Sequence, residues 1–244
     1  MSTHDPGSVG AMSSPVSLEV NGDIAVIRID DGKANALGHL VMDEINNALD
    51  NIGDAKVVVL FGRAGKFSAG FDLSVMKEGA EAAQAMVRKG AELCMRLYGF
   101  PKPVLAGSDG HVLAAGALVL LSCDVRIASD TPGRVGLPEV TIGMPLPVFA
   151  TELARDRVSR RHFTAATLLG TTYGPEEARD AGFVDQVVPL AELESTVMAE
   201  ATRLAETLHG EAFARTRGNA RQATIDNVMA RLDNDIANFT VAAP

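Results

Sequence analysis

Apolar and polar positions alternate along the chain with two different periods, and the order in which the periods occur outlines a fold. Ser17–Val20 and Ile24–Ile29 alternate around Asn21-Gly22, the strongest short signal for a β-hairpin. Asn35 is a candidate N-cap for a helix whose apolar positions Leu37, Leu40, Val41, Ile45 and Leu49 recur at helical spacing. Val57–Phe61 is a continuous apolar run, as in a strand buried on both faces. Residues 80–98 read as a helix with Ala83, Met86, Val87, Leu93 and Leu97 inward. A strand at Pro103–Ala106, an apolar helix at Leu113–Leu121 and a strand at Asp124–Ala128 follow. Helices are expected at 147–157 and 159–169, then a short one running from Pro175 to the stop at Gly182. Val184–Val188 returns as a strand. Two amphipathic helices occupy about 190–209 and 211–239. Their faces carry Leu193, Val197, Leu204 and Leu208, then Ile225, Val228, Leu232, Ile236 and Phe239. These faces must pack on the main body or on a neighbouring subunit.

Strands alternating with helices predict an α/β architecture with a largely parallel sheet. Three regions are expected: a loose leader over 1–14, a core domain over 15–189, and a C-terminal helical region over 190–244. The polar N-terminus lacks a basic segment followed by an apolar one, so no secretory signal is read there.

Composition narrows the classes. With 47% apolar residues among 244, the chain can bury a substantial core. Asp and Glu total 31 against 22 Lys and Arg, which argues against a nucleic-acid binder and leaves room for a local basic patch. The apolar stretch Val112–Cys123 is too short to span a bilayer, so no membrane partner is expected. Cys94 and Cys123, without a CxxC motif, read as buried thiols in a reducing cytoplasm. No GxGxxG, P-loop, HExxH or GxSxG motif is present, and the five His have no ligand spacing, so neither nucleotide cofactor nor metal is expected.

The chemistry concentrates in two glycine-bearing turns, each running from a strand into a helix. One is Phe67-Ser-Ala-Gly-Phe-Asp-Leu; the other is Gly110-His-Val-Leu-Ala-Ala-Gly-Ala-Leu. Small residues admit close approach to the main chain, and the N–H groups at a helix start are free to donate. Two of them aimed at one point form an oxyanion hole.

Together with Asn35-Ala-Leu, Val57–Gly62, Pro101-Lys-Pro-Val, Cys123-Asp-Val-Arg-Ile-Ala, Gly136-Leu-Pro-Glu-Val-Thr-Ile-Gly-Met and Ala178–Pro189, these turns give the chain a pattern that resembles the crotonase (enoyl-CoA hydratase/isomerase) superfamily from about residue 17 to 240. The resemblance implies a crotonase-like spiral of ββα units and a C-terminal helical region used for trimerisation, as a homotrimer or a dimer of trimers. It implies an acyl-CoA thioester substrate, coenzyme A entering as part of the substrate and no separate cofactor. The oxyanion donors fall on the N–H groups of Phe71 and Ala115. Ala69, Gly70, Leu73, Ala114, Pro138 and Met144 fall at substrate positions beside them. Lys33, Ala34 and Ala36 sit where the family passes the CoA nucleotide, with Lys33 either meeting a phosphate or simply solvated. Asp72 either orients the Phe71 turn or caps the next helix.

Departures from the family pattern bear on the reaction. Family hydratases carry two glutamates; here one position is Glu139 and the other is Leu118, read as packing and acyl-pocket lining. The hydratase Pro-Gly-Ala-Gly-Gly-Thr run is replaced by Pro145-Leu-Pro-Val-Phe-Ala. A single carboxylate suits a 1,3-proton shift, as in Δ3,Δ2-enoyl-CoA isomerases, with an apolar neighbour raising its pKa. A hydratase working with one carboxylate and a non-catalytic acyl-CoA-binding protein are the alternatives, and the shared enolate hole would also serve a decarboxylase, dehalogenase or thioesterase.

Overall fold

The computed structural model describes residues 14–240, so the expected leader falls, apart from Ser14, outside the described residues. Strands β1 (Val16–Asn21) and β2 (Ile24–Ile29) form the hairpin, and Gly22 supplies the positive φ of its turn. Strand β3 (Ala36–Leu37) and helix α1 (His39–Asp50) come next. Here the expected cap is corrected. Asn35 lies four residues before α1, fully buried at φ 50°, and Leu37 belongs to β3. Its side-chain amide donates to the carbonyls of Ile29 (2.7 Å) and Phe67 (3.2 Å), and its side-chain oxygen accepts from the N–H of Asp31 (3.0 Å). The short polar side chain that makes Asn a good cap also makes it tolerant of left-handed backbone.

Strand β4 (Val57–Phe61) is buried throughout, with Val58 and Leu60 on one face and Val57, Val59 and Phe61 on the other. Strands β5 (Lys66–Ser68) and β6 (Gly70–Phe71) lead through α2 (Leu73–Met76) to α3 (Ala80–Tyr98). The next circuit is β7 (Val104–Ser108), β8 (His111–Leu113) and α4 (Ala115–Ser122); the third is β9 (Val125–Ser129), β10 (Val135–Gly136) and α5 (Val148–Arg157). Helix α6 (Phe163–Thr167) is shorter than the expected 159–169: residues 160–162 form a turn ahead of it, and the left-handed Gly170 (φ 62°) follows its end. Strand β11 (Thr172–Tyr173), helix α7 (Pro175–Ala181), strand β12 (Gln186–Val188), and helices α8 (Leu193–Thr207) and α9 (Gly210–Ala237) complete the chain.

Each circuit thus places one strand in a six-stranded sheet of order β1-β2-β4-β7-β9-β12, parallel except for the β1–β2 hairpin, and another in a smaller sheet of order β11-β10-β8-β5. This is the spiral of ββα units. Successive circuits touch at glycines: a methyl group on Gly110 would come within 2.1 Å of the Gly65 carbonyl oxygen.

The large sheet is covered on both faces. Helices α1, α3, α4 and α5 enclose the main core on one side. On the other, Leu193, Val197, Ala201 and Leu204 of α8 pack on Val57, Val59, Phe61 and Leu105. Helix α9 turns Val228, Leu232 and Ile236 inward against α3 and α5. The C-terminal faces therefore find their partners within the chain. Leu208 is the exception, exposed just past the end of α8. Asp124 fastens α9 to the core. It accepts from the β7 N–H of Val104 (2.8 Å), from Arg221 (3.0 Å) and from Arg217.

Candidate active site

The two turns singled out by the sequence meet. Strand β6 lies parallel to β3, pairing Gly70 with Ala36 and Phe71 with Leu37, while α4 begins directly beside it. A methyl group on Gly70, whose φ is 99°, would stand 2.8 Å from the Cβ of Ala114 and 3.3 Å from the Ala115 nitrogen. Only glycine lets the two backbones approach this closely. The Ser68 hydroxyl donates to the Asn35 carbonyl (2.6 Å) and accepts from the N–H of Gly70 (3.2 Å), which fixes the turn against the preceding circuit.

Backbone geometry sets the direction of two N–H groups. The N–H of Asp72 bonds the Leu37 carbonyl (3.4 Å), so the preceding N–H, that of Phe71, points to the opposite side, away from β3. Ala115 is the first residue of α4, and a first-turn N–H has no partner within its helix. Ala114 holds φ 52° and ψ −128°, a conformation unfavourable for a residue with a Cβ. Its N–H bonds the Gly136 carbonyl (3.0 Å), tying the helix start to the segment that carries Glu139.

That segment forms a single 3-10 turn, Glu139–Ile142, closed by the left-handed Gly143 and by a bond from the N–H of Met144 to the Glu139 carbonyl (3.0 Å). The turn directs the Glu139 side chain inward. The residue is 6% exposed, and among the described residues its Oε2 has no hydrogen-bond partner. Burial pushes the carboxyl up to about 7, opposed in part by its own backbone N–H.

Glu139 faces a cavity of about 200 Å³. Of the residues expected at the site, Ala69, Phe71 and Leu73 line it from the first turn and Ala114 from the second, with Pro138, Glu139 and Met144 from the third segment. Gly70 and Ala115 stand immediately behind this wall. Leu118 does not line the cavity: α4 runs into the molecule, and its fourth residue is packed in the main core. Lys33 and Ala34 lie outside the wall on the loop leading into β3, and Ala36, also outside it, begins that strand. Lys33 is exposed, its carbonyl accepts from Arg63 (2.8 Å), and the Ala34 carbonyl accepts from the N–H of Ala69 (3.1 Å). Asp72 caps α2, accepting from the N–H (2.9 Å) and hydroxyl (2.6 Å) of Ser74, which hold its carboxyl below the usual range.

Val87, Leu113, Ile142, Pro145, Pro147 and Phe239 also line the cavity, and sequence reasoning did not place them there. Val87 and Phe239 were visible as apolar helix positions. Periodicity marks such residues as buried without separating packing from a cavity wall.

Elsewhere, Cys94 and Cys123 are free buried thiols, pushed up by desolvation. Among the described residues no helix is long and apolar enough to cross a membrane, and no group of three His, Cys, Asp or Glu could hold a metal ion.

A ββα spiral that sets a buried acid beside a glycine turn and a helix start is the crotonase class of fold. The chain belongs to the enoyl-CoA hydratase/isomerase family, whose model matches residues 19–242. It is 31% identical over 232 residues to the mitochondrial enoyl-CoA delta isomerase 1 of Mus musculus, covering 92% of this chain and 80% of that one. It is 33% identical over 178 residues to a probable enoyl-CoA hydratase of Bacillus subtilis, covering 69% and 67%. Among solved structures it superimposes on an enoyl-CoA isomerase of Mycobacterium tuberculosis with a TM-score of 0.88 and 36% identity, covering 93% and 100%.

Proposed function

We propose that the protein is an enoyl-CoA isomerase that moves a double bond from Δ3 to Δ2, with Glu139 shuttling the proton. The observation that carries this reading is the single carboxyl, buried, with one oxygen unpartnered, in an otherwise non-titratable cavity. In the reaction the Glu139 carboxylate takes a proton from C2 of the 3-enoyl thioester. The C–H electron pair passes into the thioester carbonyl, giving a dienolate. The N–H groups of Phe71 and Ala115 hold the enolate oxygen, an interaction for which loss of one donor costs about 3 kcal/mol. The same carboxyl returns the proton at C4, the C2–C3 double bond forms, and the formula of the substrate is unchanged. A proton affinity near 7 suits a group that must both accept and donate.

Hydration needs a positioned water, and a buried water needs two to four polar partners. Hydratases carry a further glutamate at the position of Leu118, so no second carboxylate is available to hold a water here. The CoA nucleotide passes along Lys33, Ala34 and Ala36, whose loop is bonded to the Phe71 turn. The reaction requires no separate cofactor. A cytoplasmic location and assembly as a homotrimer or dimer of trimers complete the reading, with residues 15–189 as the catalytic core and 190–244 as the helical region.

The test is 3-hexenoyl-CoA and crotonyl-CoA assayed side by side, wild type against Glu139→Gln. Conjugated thioester absorbance should grow from the first substrate, and the variant should lose at least about a hundredfold in rate. No conversion of 3-hexenoyl-CoA, or full rate in the variant, refutes the proposal. Loss of absorbance from crotonyl-CoA instead identifies a hydratase, and tight binding without turnover of either thioester identifies a binding protein.

A further inference from the structure

In the cavity wall Leu73 and Ile142 are 52% and 54% exposed, so the cavity opens to solvent beside them, whereas Val87 and Phe239 are 1% and 5% exposed and close it where they stand. Phe239 is the more unusual member, because it arrives from the end of α9 and not from any ββα circuit. Two bonds hold that terminal turn in place. The Gln84 side chain of α3 donates to the Phe239 carbonyl (3.3 Å), and Asp235 accepts from the first N–H of α5, that of Val148 (2.6 Å).

We propose that Phe239 is the floor of the acyl pocket and sets the length of acyl chain that the enzyme takes. The proposal rests on the isomerase reading above and adds the substrate class. At about 30 Å³ for a water-sized group, a cavity of about 200 Å³ holds about six or seven such groups. The carbonyl carbon is fixed near the helix start and C2 to C4 lie beside Glu139. The remaining space ends at the Phe239 ring after about six carbons. Longer chains must displace that ring against a turn pinned on both sides. The enzyme is therefore one for short acyl thioesters.

The experiment compares kcat/KM for 3-hexenoyl-CoA and 3-dodecenoyl-CoA in wild type, Phe239→Leu and Phe239→Ala, with thermal unfolding to verify that each variant is folded. The wild type should prefer the six-carbon substrate by at least tenfold. The twelve-to-six ratio should rise in Phe239→Leu and rise at least tenfold in Phe239→Ala. A wild type that takes both lengths equally, or a ratio unmoved in the folded variants, overturns the floor assignment and leaves the Glu139 reading standing.

Binding of saturated acyl-CoAs from four to twelve carbons separates the two readings if no isomerisation is seen. Affinity should grow up to about fourfold per carbon, the worth of a buried methylene, and level off near six. Shortening Phe239 should move the plateau to longer chains. A plateau at the same length in the variants refutes the proposal whatever reaction the protein performs.

Discussion

Glu139→Gln should abolish turnover and gain stability relative to the wild type as the pH rises. The folded state raises the carboxyl from 4.5 to about 7, so it prefers the protonated form. By linkage, that preference stabilises the fold fully below about pH 4.5 and is lost as pH rises through 7. Above pH 7 the buried carboxylate costs about 3 kcal/mol, at 1.36 kcal/mol for each tenfold change in proton affinity. Gln carries no charge and escapes this cost, but introduces an unpaired amide with a penalty of its own. That penalty does not vary with pH. The decisive quantity is therefore the change in the stability gap between the two proteins from pH 5.5 to 8.5, about 2 kcal/mol in favour of the variant. For a domain of this size it corresponds to roughly 4–8 °C in Tm. Thermal unfolding of both proteins at the two pH values measures it. A gap that is the same at both would show that Glu139 is not desolvated in the folded protein, and would remove the physical basis for its role as a proton carrier.

The same carboxyl must be ionised to begin the reaction, so kcat/KM for 3-hexenoyl-CoA should rise through about pH 7 and level off above it; an inflection below pH 5 contradicts this. Gly90→Ala, in the interior of α3, would normally stabilise a helix by about 0.5–1 kcal/mol. Here the added methyl group would stand 2.3 Å from the tip of the Phe71 ring, so activity should fall about tenfold through displacement of the Phe71 N–H, and Phe71→Leu in the same chain should restore part of it. Full activity in Gly90→Ala would show that the ring does not hold its backbone in place. Ala114→Gly removes the Cβ from an unfavourable backbone conformation and should raise Tm by about 2–4 °C; a lower Tm would show that the methyl group's packing outweighs the strain.

What could be read from the sequence depended on whether a feature was local. The hairpin at Asn21-Gly22, the double-sided burial of Val57–Phe61 and the full span of α3 are written in short-range periodicity, and the structure has them. The turns at Gly70 and Ala115 were visible as runs of small residues, because close backbone approach demands small residues wherever it occurs. Asn35 was misread for a physical reason: a side chain that reaches nearby backbone groups serves a helix start and a buried bridge equally well. Leu118 was read as both core packing and acyl-pocket lining, and the direction of α4 gives it the first without the second. Phe239 and Gly90 could not be found along the chain. One reaches the cavity from the far end of the sequence, and the other matters through a ring nineteen residues before it.

The bond from Gln84 to Phe239 spans 155 residues, and Arg221 reaches across 123 to the carbonyl of Tyr98. Contacts between such distant segments close large loops and form late, because the entropy of closure is lost before the contact is gained. A refolding chain can pair its central strands and lay down α3 while the pocket still lacks its end wall. Recovery of catalytic activity after dilution from denaturant should accordingly lag behind recovery of secondary structure and coincide with the slowest refolding phase, the docking of α9.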